Sequence, residues 1–402
     1  MRLRLAVFLL LAGLSAAPRT GAQPPITLSA QAELSLLTIL PGHAIYSMYG
    51  HSALRVHDPK QRIDWVYNYG TFSFKDSFFV GKFLYGNLRY RLSVAPYRLA
   101  LLDYLAQGRP VIEQTLNLTP AQEDALFRFL QINYRPRNRH YRYNFLFDNC
   151  STRIRDALKT VLGERLHFAA GSKPPATFRH LLDPYGSDYL NTGEDLLLGL
   201  PVDQLATPWQ MMFLPDYLMR GFAHARVLRG TQAQPLVAHT QTVLDIAGYE
   251  RAGPAPFPPM LLGWLVSVVG VLATYWSYRR QRVTRRLADA LFLALVGIAG
   301  LLITFLMFFS LHEATEYNLN LLWAWPTHLW AAVALLRGRR RRFLRRYLLA
   351  AAGVSLILAV GWMFWPQELP SALLPIVLLL ALRCVWQAYA IEQRTPAPAP
   401  SG

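Results

Sequence analysis

The chain has 402 residues, of which 53% are hydrophobic and only 16% are charged. Soluble domains usually have about 45–50% apolar and about 25% charged residues, so the composition excludes an ordinary soluble globule. The net charge is +17, but much of the excess lies in two arginine-rich runs, at 279–286 and 337–346, between long apolar stretches. This distribution is typical of membrane topology, and we expect no nucleic-acid partner.

The first 22 residues have the pattern of a secretory signal peptide. Arg2 and Arg4 precede an apolar run from Leu5 to Leu14, and small residues follow. The run is shorter than the ~20 residues that a spanning helix needs, so we predict a signal peptide at 1–22. The alternative is an uncleaved anchor, which would leave the following domain on the same side of the membrane.

Five long apolar stretches follow in the second half of the chain, each about the ~20 residues of a spanning helix. They are Phe257–Tyr278, Ala290–Ser310, Leu321–Leu336, Tyr347–Trp365 and Ser371–Ile391. The pattern predicts an all-α membrane domain of five transmembrane helices at 260–391, followed by a disordered cytoplasmic tail at 392–402. Arg383 lies within the fifth stretch, and we expect its side chain to reach the inner interface rather than to act as a buried functional charge.

The arginine-rich runs set the predicted orientation of the membrane domain. They follow the first and third apolar stretches, so the positive-inside bias places both loops in the cytoplasm. The segment before the first stretch is then outside, in agreement with the signal peptide. We therefore predict a multi-pass protein of the bacterial inner membrane with its N-terminal domain in the periplasm.

Residues 23–253 form the candidate periplasmic domain, and the proline-rich stretch 254–259 is a stiff linker to the membrane part. Alternating apolar patterns bounded by turn residues predict strands. These are Leu34–Leu40, Ser52–His57, Ile63–Tyr69, Leu88–Val94 and Val111–Leu118.

Two helices are predicted from capping signals and apolar faces. Thr119 begins a capping box with a proline at the first helical position, so a helix should run to about Asn133. A second helix is expected over Cys150–Leu162, with Asp148 or Asn149 as its N-cap. Helices and strands do not alternate regularly, which indicates an α+β fold.

Cys150 is the first candidate catalytic residue. At the first turn of a helix, amide donors and the helix dipole stabilise a thiolate and lower its pKa. The only other cysteine, Cys384, is far away in the sequence, so no disulfide framework is available. A lone cysteine is more often a small buried hydrophobe, and the position by itself leaves both interpretations open.

A nucleophilic cysteine needs a base, and the base needs a partner that orients it. His51 opens a predicted strand, and a turn at Asp58–Gln61 would set Asn68 directly opposite it on the next strand. We therefore predict His51 as the base and Asn68 as its orienting partner.

These motifs resemble known families. An Asn-Cys pair that opens a helix, preceded by a histidine and a polar residue, resembles the circularly permuted papain-like fold of NlpC/P60 and lecithin–retinol acyltransferase proteins. More closely, GHSALRV, VYNYGTFSF, YNFLFDNCSTRIRD, LLLGLPVD and FLPDYL are similar to the periplasmic domain of Lnb-type lipoprotein N-acyltransferases. HEATEYNLNLLWAWPTHL resembles the external loop and helix start of that family's membrane domain.

The resemblance implies a fold and an activity. The fold is an α+β permuted papain-like periplasmic domain followed by the five-helix membrane domain, with Cys150 as nucleophile and His51 as base. The activity is transfer of a fatty acyl chain from a phospholipid donor to the N-terminal amine of a diacylglyceryl lipoprotein. Two alternatives stay open, namely a membrane-anchored NlpC/P60-like cell-wall peptidase or amidase, and a non-catalytic envelope scaffold.

Four more residues are candidates for substrate binding. Tyr143 could donate a hydrogen bond to an oxyanion, although aromatic packing is the alternative. His312, Asn318 and Asn320 lie in the outer loop before the third apolar stretch and could hold a lipid headgroup or the acceptor. The HExxE sequence at His312 lacks the second histidine of a zinc protease motif, so we predict no metal and no cofactor.

Overall fold

The computed structural model describes residues 26–73, 78–168, 175–251, 255–280, 286–338 and 341–393. The predicted signal peptide and nearly all of the predicted cytoplasmic tail lie outside these ranges. Within the N-terminal domain the strands are β1 Glu33–Ile39, β2 His51–Asp58, β3 Ile63–Thr71, β4 Arg89–Pro96, β5 Val111–Leu116, β6 His140–Arg142, β7 Leu166–His167, β8 Ala176–Thr177, β9 Leu205–Ala206, β10 Arg226–Arg229, β11 Gln232–Pro235 and β12 Val237–Leu244.

A seven-stranded antiparallel sheet is the centre of this domain, with the strand order β12-β5-β1-β2-β3-β4-β6. The helices of the domain are α1 Phe79–Tyr85, α2 Tyr97–Ala106, α3 Pro120–Tyr134, α4 Cys150–Leu162, α5 Phe178–Leu182, α6 Asp188–Leu197, α7 Pro208–Met211 and α8 Pro215–His224. The mixed α/β character expected from the sequence is therefore present.

Both faces of the sheet are covered, because successive side chains of a strand point to opposite sides. In β1, Leu34 and Leu36 join the core beneath α3 and α4. Leu37 and Ile39 face the other way and pack with Tyr104 of α2. All four leucine and isoleucine side chains are fully buried, and burial of each contributes about 1.5–3 kcal/mol. The catalytic candidates are thus carried by a well-packed domain.

The membrane part contains α9 Pro259–Arg279, α10 Arg286–Phe308, α11 His328–Arg337, α12 Arg341–Val360 and α13 Leu374–Glu392. In the described part of the chain, four of these helices are long and apolar enough to cross a membrane. The prediction of five spanning helices is therefore not confirmed. The third predicted span contains α11, whose ten residues extend only about 15 Å.

Pro326 explains why the third helix is short. Proline has no backbone N–H and disfavours helical conformation in the residue before it, so α11 cannot extend backwards through this position. The chain before it forms a single 3-10 turn, Leu319–Leu322. Gly300 of α10 accommodates this break, because an added Cβ would lie 1.9 Å from the carbonyl oxygen of Ala324. A small residue thus allows the irregular backbone to pack closely against a spanning helix.

The N-terminal domain is hydrogen-bonded to the loops of the membrane part. Asn318 and Asn320 donate to the carbonyl oxygen of Leu196 at the end of α6, at 2.9 and 3.3 Å. Gln367 donates to the Leu198 carbonyl oxygen at 3.0 Å. Elsewhere, the N–H of Leu311 donates to the carbonyl oxygen of Tyr85 at 2.8 Å. These bonds hold the two domains together at two separate places.

Arg383 is buried within the helix bundle, and its partner Asp289 lies in the first turn of α10, so the expectation that its side chain reaches the inner interface stays a prediction. Its guanidinium forms a two-pronged ion pair with Asp289 of α10, at 2.6 and 2.7 Å. A third bond, of 2.6 Å, goes to the Thr274 hydroxyl of α9, and Gln387 also donates to Asp289. Because both residues are buried in the protein, the carboxylate replaces the water that would otherwise solvate the cation.

This ion pair leads to a stability prediction. Arg383→Met leaves Asp289 buried without its cation, which should destabilise the protein by about 3–5 kcal/mol. Arg383→Met combined with Asp289→Leu removes both charges and should recover most of the loss. Unfolding of the two variants in detergent would measure the difference. Equal stability of the single and double variants would contradict a paired, charged state of these residues.

Candidate active site

Asn149 determines where α4 begins and where Cys150 lies. Its side-chain oxygen accepts hydrogen bonds from the N–H groups of Ser151 and Thr152, at 2.9 and 3.0 Å. Its amide donates to the carbonyl oxygens of Phe145 and Phe213, at 2.7 and 2.9 Å. Asn149, one of the two predicted caps, is therefore the N-cap, and Cys150 is the first residue of the helix. Amide groups and the positive end of the helix dipole surround its thiol.

His51 and Asn68 contact each other, although the predicted register is wrong. Asp58 pairs with Ile63 rather than with Gln61, so the two strands are shifted by two residues from our expectation. A shift of two keeps every side chain on its face of the sheet. His51 and Asn68 therefore remain close, with 2.7 Å between Nε2 and Oδ1.

The Asn68 contact fixes the orientation of the imidazole ring. An amide oxygen accepts, so His51 Nε2 carries the proton that is donated to Asn68, and Nδ1 remains for the thiol. Asn68 is itself held by Tyr104 of α2, whose hydroxyl oxygen lies 3.5 Å from the amide nitrogen. Sequence analysis missed Tyr104, because α2 was not predicted.

Gly70 brings the histidine and the cysteine together. It lies at an irregularity in the pairing of β3 with β4, and its φ is +89°, a conformation that glycine adopts without strain. A Cβ built at this position would lie 3.6 Å from Cys150 Cβ and 3.7 Å from His51 Cε1. The backbone of Gly70 therefore lies beside both groups.

The electrostatic environment favours the thiolate of Cys150. Burial alone raises the pKa of the thiol, but the charge of His51 and its hydrogen bond lower it. Hydrogen bonds from the Ser52 backbone and the Ser151 hydroxyl lower it further, and the resulting pKa is about 7, down from 9.0. About half of the thiol is then ionised at pH 7, compared with about 1% of a thiol whose pKa stays at 9.0.

Tyr143 lies beside the thiol and stacks on Tyr90, with 4.2 Å between the ring centroids. Burial and the neighbouring Cys150 charge raise the pKa of Tyr143 well above 10.0, so its hydroxyl stays protonated and can donate. Arg109 also interacts electrostatically with Cys150 and is only 4% exposed. No sequence motif identified Arg109, whose guanidinium donates to the Leu40 carbonyl oxygen at 2.9 Å.

The three candidates in the membrane-domain loop contact the N-terminal domain. Asn318 and Asn320 are buried, and their amide groups donate to backbone carbonyls of that domain. These bonds dock the two domains, and the substrate-binding role of the two residues stays a prediction. His312 Nε2 donates to the carbonyl oxygen of Phe83 at 2.7 Å, so it too joins the domains.

The geometry corresponds to nucleophilic chemistry at a thiol: a thiolate, an oriented imidazole and hydrogen-bond donors around one sulfur atom. Among the described residues, no group of three or more His, Cys, Asp and Glu side chains could hold a metal ion.

The fold and the site define a multi-pass membrane protein whose N-terminal domain carries a buried cysteine–histidine pair. Two family models match the chain. One is the Lnb N-terminal periplasmic domain, over residues 27–184, and the other is the Lnb transmembrane domain, over residues 251–395. The chain therefore belongs to the Lnb family, and its N-terminal domain is periplasmic. No curated protein and no solved structure matches it.

The lowered pKa of Cys150 can be tested by alkylation of the full-length protein with Cys384→Ala. The rate should rise with pH through a midpoint near 7, since the thiolate is the reactive form. His51→Ala removes the favourable charge and hydrogen bond, so the midpoint should move upward from 7.

His57→Ala is the matched control, because His57 lies on the same strand as His51. This variant should leave the midpoint near that of the parent protein. A midpoint unaffected by His51→Ala would contradict the thiolate–imidazole pair.

Proposed function

We propose that this protein is a cysteine-dependent acyltransferase that moves a fatty acyl chain from a phospholipid to the N-terminal amine of diacylglyceryl lipoproteins. The observation that carries the proposal is the Cys150 thiol with its lowered pKa beside an imidazole oriented by Asn68. The docking of this domain on membrane loops supports a substrate that resides in the bilayer.

In the first half of the reaction, the Cys150 thiolate attacks the carbonyl carbon of the phospholipid ester. The tetrahedral intermediate collapses as the C–O bond to the glycerol breaks. The His51 imidazolium gives its proton to the departing alkoxide, and the acyl chain remains on Cys150 as a thioester. The other product is a lysophospholipid.

In the second half, the neutral amine of the lipoprotein attacks the thioester carbonyl. His51, now neutral, takes the proton that the amine loses, and the C–S bond breaks to release the Cys150 thiolate. The product is an amide, and the enzyme returns to its starting thiolate–imidazolium state. No oxidation or reduction takes place in either half.

The oxyanion of each tetrahedral intermediate needs donors in a site shielded from water. We propose the Cys150 backbone N–H at the start of α4 as one donor and the Tyr143 hydroxyl as another. The raised pKa of Tyr143 supports this role, because a tyrosine that stays protonated can donate throughout the reaction.

The resemblance to permuted papain-like proteins supports the same roles for Cys150 and His51, and we propose that fold relationship for the periplasmic domain.

We also propose a fifth membrane crossing at 319–337, through a 3-10 turn followed by α11. Thr315 bonds the Leu306 carbonyl near the end of α10, and Gly338 lies beside Arg286 at its start. The segment between them therefore runs along the length of α10, as a crossing requires.

An acyl-enzyme intermediate should be observable by intact-mass measurement. Wild-type protein incubated with phospholipid and no acceptor should gain the mass of one acyl chain on Cys150, and neutral hydroxylamine should remove it. Cys150→Ala and His51→Ala should gain nothing, because the nucleophile or its activating charge is lost. Asn68→Ala should form the adduct more slowly, since only the orientation of the base is impaired.

Mass spectrometry of the lipoprotein product tests the donor. Transfer from phospholipid adds one acyl chain to the lipoprotein, whereas an unchanged number of chains would mean that the lipoprotein's own glycerol ester is the donor. Cleavage of muropeptides would instead favour the cell-wall peptidase, and full activity of Cys150→Ala would rule out the thiol mechanism.

A further inference from the structure

Helix α1 is a short apolar element that the domain core does not cover. None of its residues is buried. Phe78, directly before it, and Val80 within it are 85% and 67% exposed. Phe83 and Tyr85 are half-exposed. Such a concentration of exposed apolar side chains is unfavourable in water and is typical of a surface that contacts a partner or a membrane.

The position of α1 identifies what covers it. Two hydrogen bonds, from Leu311 N to Tyr85 O and from His312 Nε2 to Phe83 O, attach the helix to the chain just after α10. α10 has 23 residues and is about 35 Å long, enough to cross about 30 Å of hydrocarbon. Its end therefore lies at the membrane boundary, and α1 lies there with it.

The end of α10 continues the apolar surface. Phe308 and Phe309 are 62% and 63% exposed beside the loop that holds α1. Lys82 is the one charged residue of α1, and a lysine at this depth can extend its ammonium toward the headgroups. Lipid is therefore the occupant that the surroundings of α1 favour.

A chain of aromatic contacts leads from α1 to the thiol, and we name it the aromatic series. Phe83 stacks on Phe79 at 6.4 Å, and Phe79 stacks on Phe72 at 5.9 Å between ring centroids. Phe72 contacts Tyr90 at 5.2 Å, and Tyr90 stacks on Tyr143 at 4.2 Å. Tyr90 and Tyr143 belong to the same packed cluster as Cys150. An apolar wall thus connects the membrane boundary with the sulfur atom.

We propose that α1 lies in the bilayer interface and that the aromatic series guides a lipid acyl chain from the bilayer to Cys150. The second half of this statement rests on the proposed acyl transfer. A long acyl chain that leaves the bilayer for Cys150 needs an apolar surface along its way, because each methylene group exposed to water costs free energy. The aromatic series supplies that apolar surface over the distance between membrane and thiol.

Fluorescence quenching tests the position of α1 independently of any activity. Full-length protein with Cys150→Ser, Cys384→Ala and Val80→Cys, carrying one environment-sensitive dye, is reconstituted in phosphatidylethanolamine–phosphatidylglycerol vesicles with brominated acyl chains. The dye should be quenched. The matched control is Ile132→Cys on α3, also an exposed apolar position, where the dye should stay bright.

Equal fluorescence at the two positions would overturn the membrane position of α1. A dye whose emission shows an apolar environment but is not quenched by bromine would mean that a second copy of the chain covers the helix, and would also overturn it.

Substitutions at Phe79 test the path. Phe79→Ala interrupts the aromatic series and should slow acylation of Cys150 by long-chain phospholipid about tenfold. Phe79→Leu keeps an apolar side chain and should retain most of the rate. Acylation by p-nitrophenyl butyrate, whose short chain dissolves in water, should be unchanged in both variants.

An equal loss of acylation rate with both acyl donors would overturn the proposed path, because Phe79 would then act on the fold or on the cysteine–histidine pair. A wild-type protein that accepts butyryl but never a phospholipid chain, while the Val80 dye is quenched, would contradict the proposed function and leave the position of α1 intact.

Discussion

The hydrogen bonds of the buried Asn149 side chain are the interaction on which the site depends. One amide group caps α4 through its oxygen and joins the preceding loop to the segment before α8 through its nitrogen. Leaving this buried amide unsatisfied would cost about 1–3 kcal/mol, so the four bonds stabilise the local fold. Because Cys150 is the next residue, the same bonds fix the thiol relative to the sheet, where β2 supplies His51 and β3 supplies Asn68.

Side-chain amides that donate to backbone carbonyls help to join the two domains. Asn318, Asn320 and Gln367 all donate to the chain at the end of α6, and His312 donates to α1. Backbone carbonyls have fixed positions, so these contacts set the height of the periplasmic domain above the membrane domain more firmly than flexible surface ion pairs would. For chemistry on lipid substrates, a fixed distance between the thiol and the bilayer is the useful property.

Local signals in the sequence identified the central strands, the capped helices α3 and α4, and the cysteine–histidine pair. The exact register of β2 and β3 could not be predicted. The turn signal indicated that Asp58 pairs with Gln61, but the turn is two residues longer and Asp58 pairs with Ile63. The His51–Asn68 contact survived that error because side chains alternate with a period of two. α1 and α2 were missed, since their apolar residues show no clean helical face. Pro326 indicates the break before α11, but it lies within a continuous apolar stretch, and hydropathy alone predicted one long helix there.

The Arg383–Asp289 pair makes the packing of the last helix depend on two earlier ones. Asp289 stands in the first turn of α10, and Arg383 lies in the middle of α13. Without α9 and α10 beside it, the cation of α13 lacks both the Thr274 hydroxyl and the Asp289 carboxylate. The pair therefore sets the register of the bundle, because an α13 that is shifted along its axis leaves an unpaired charge among the helices.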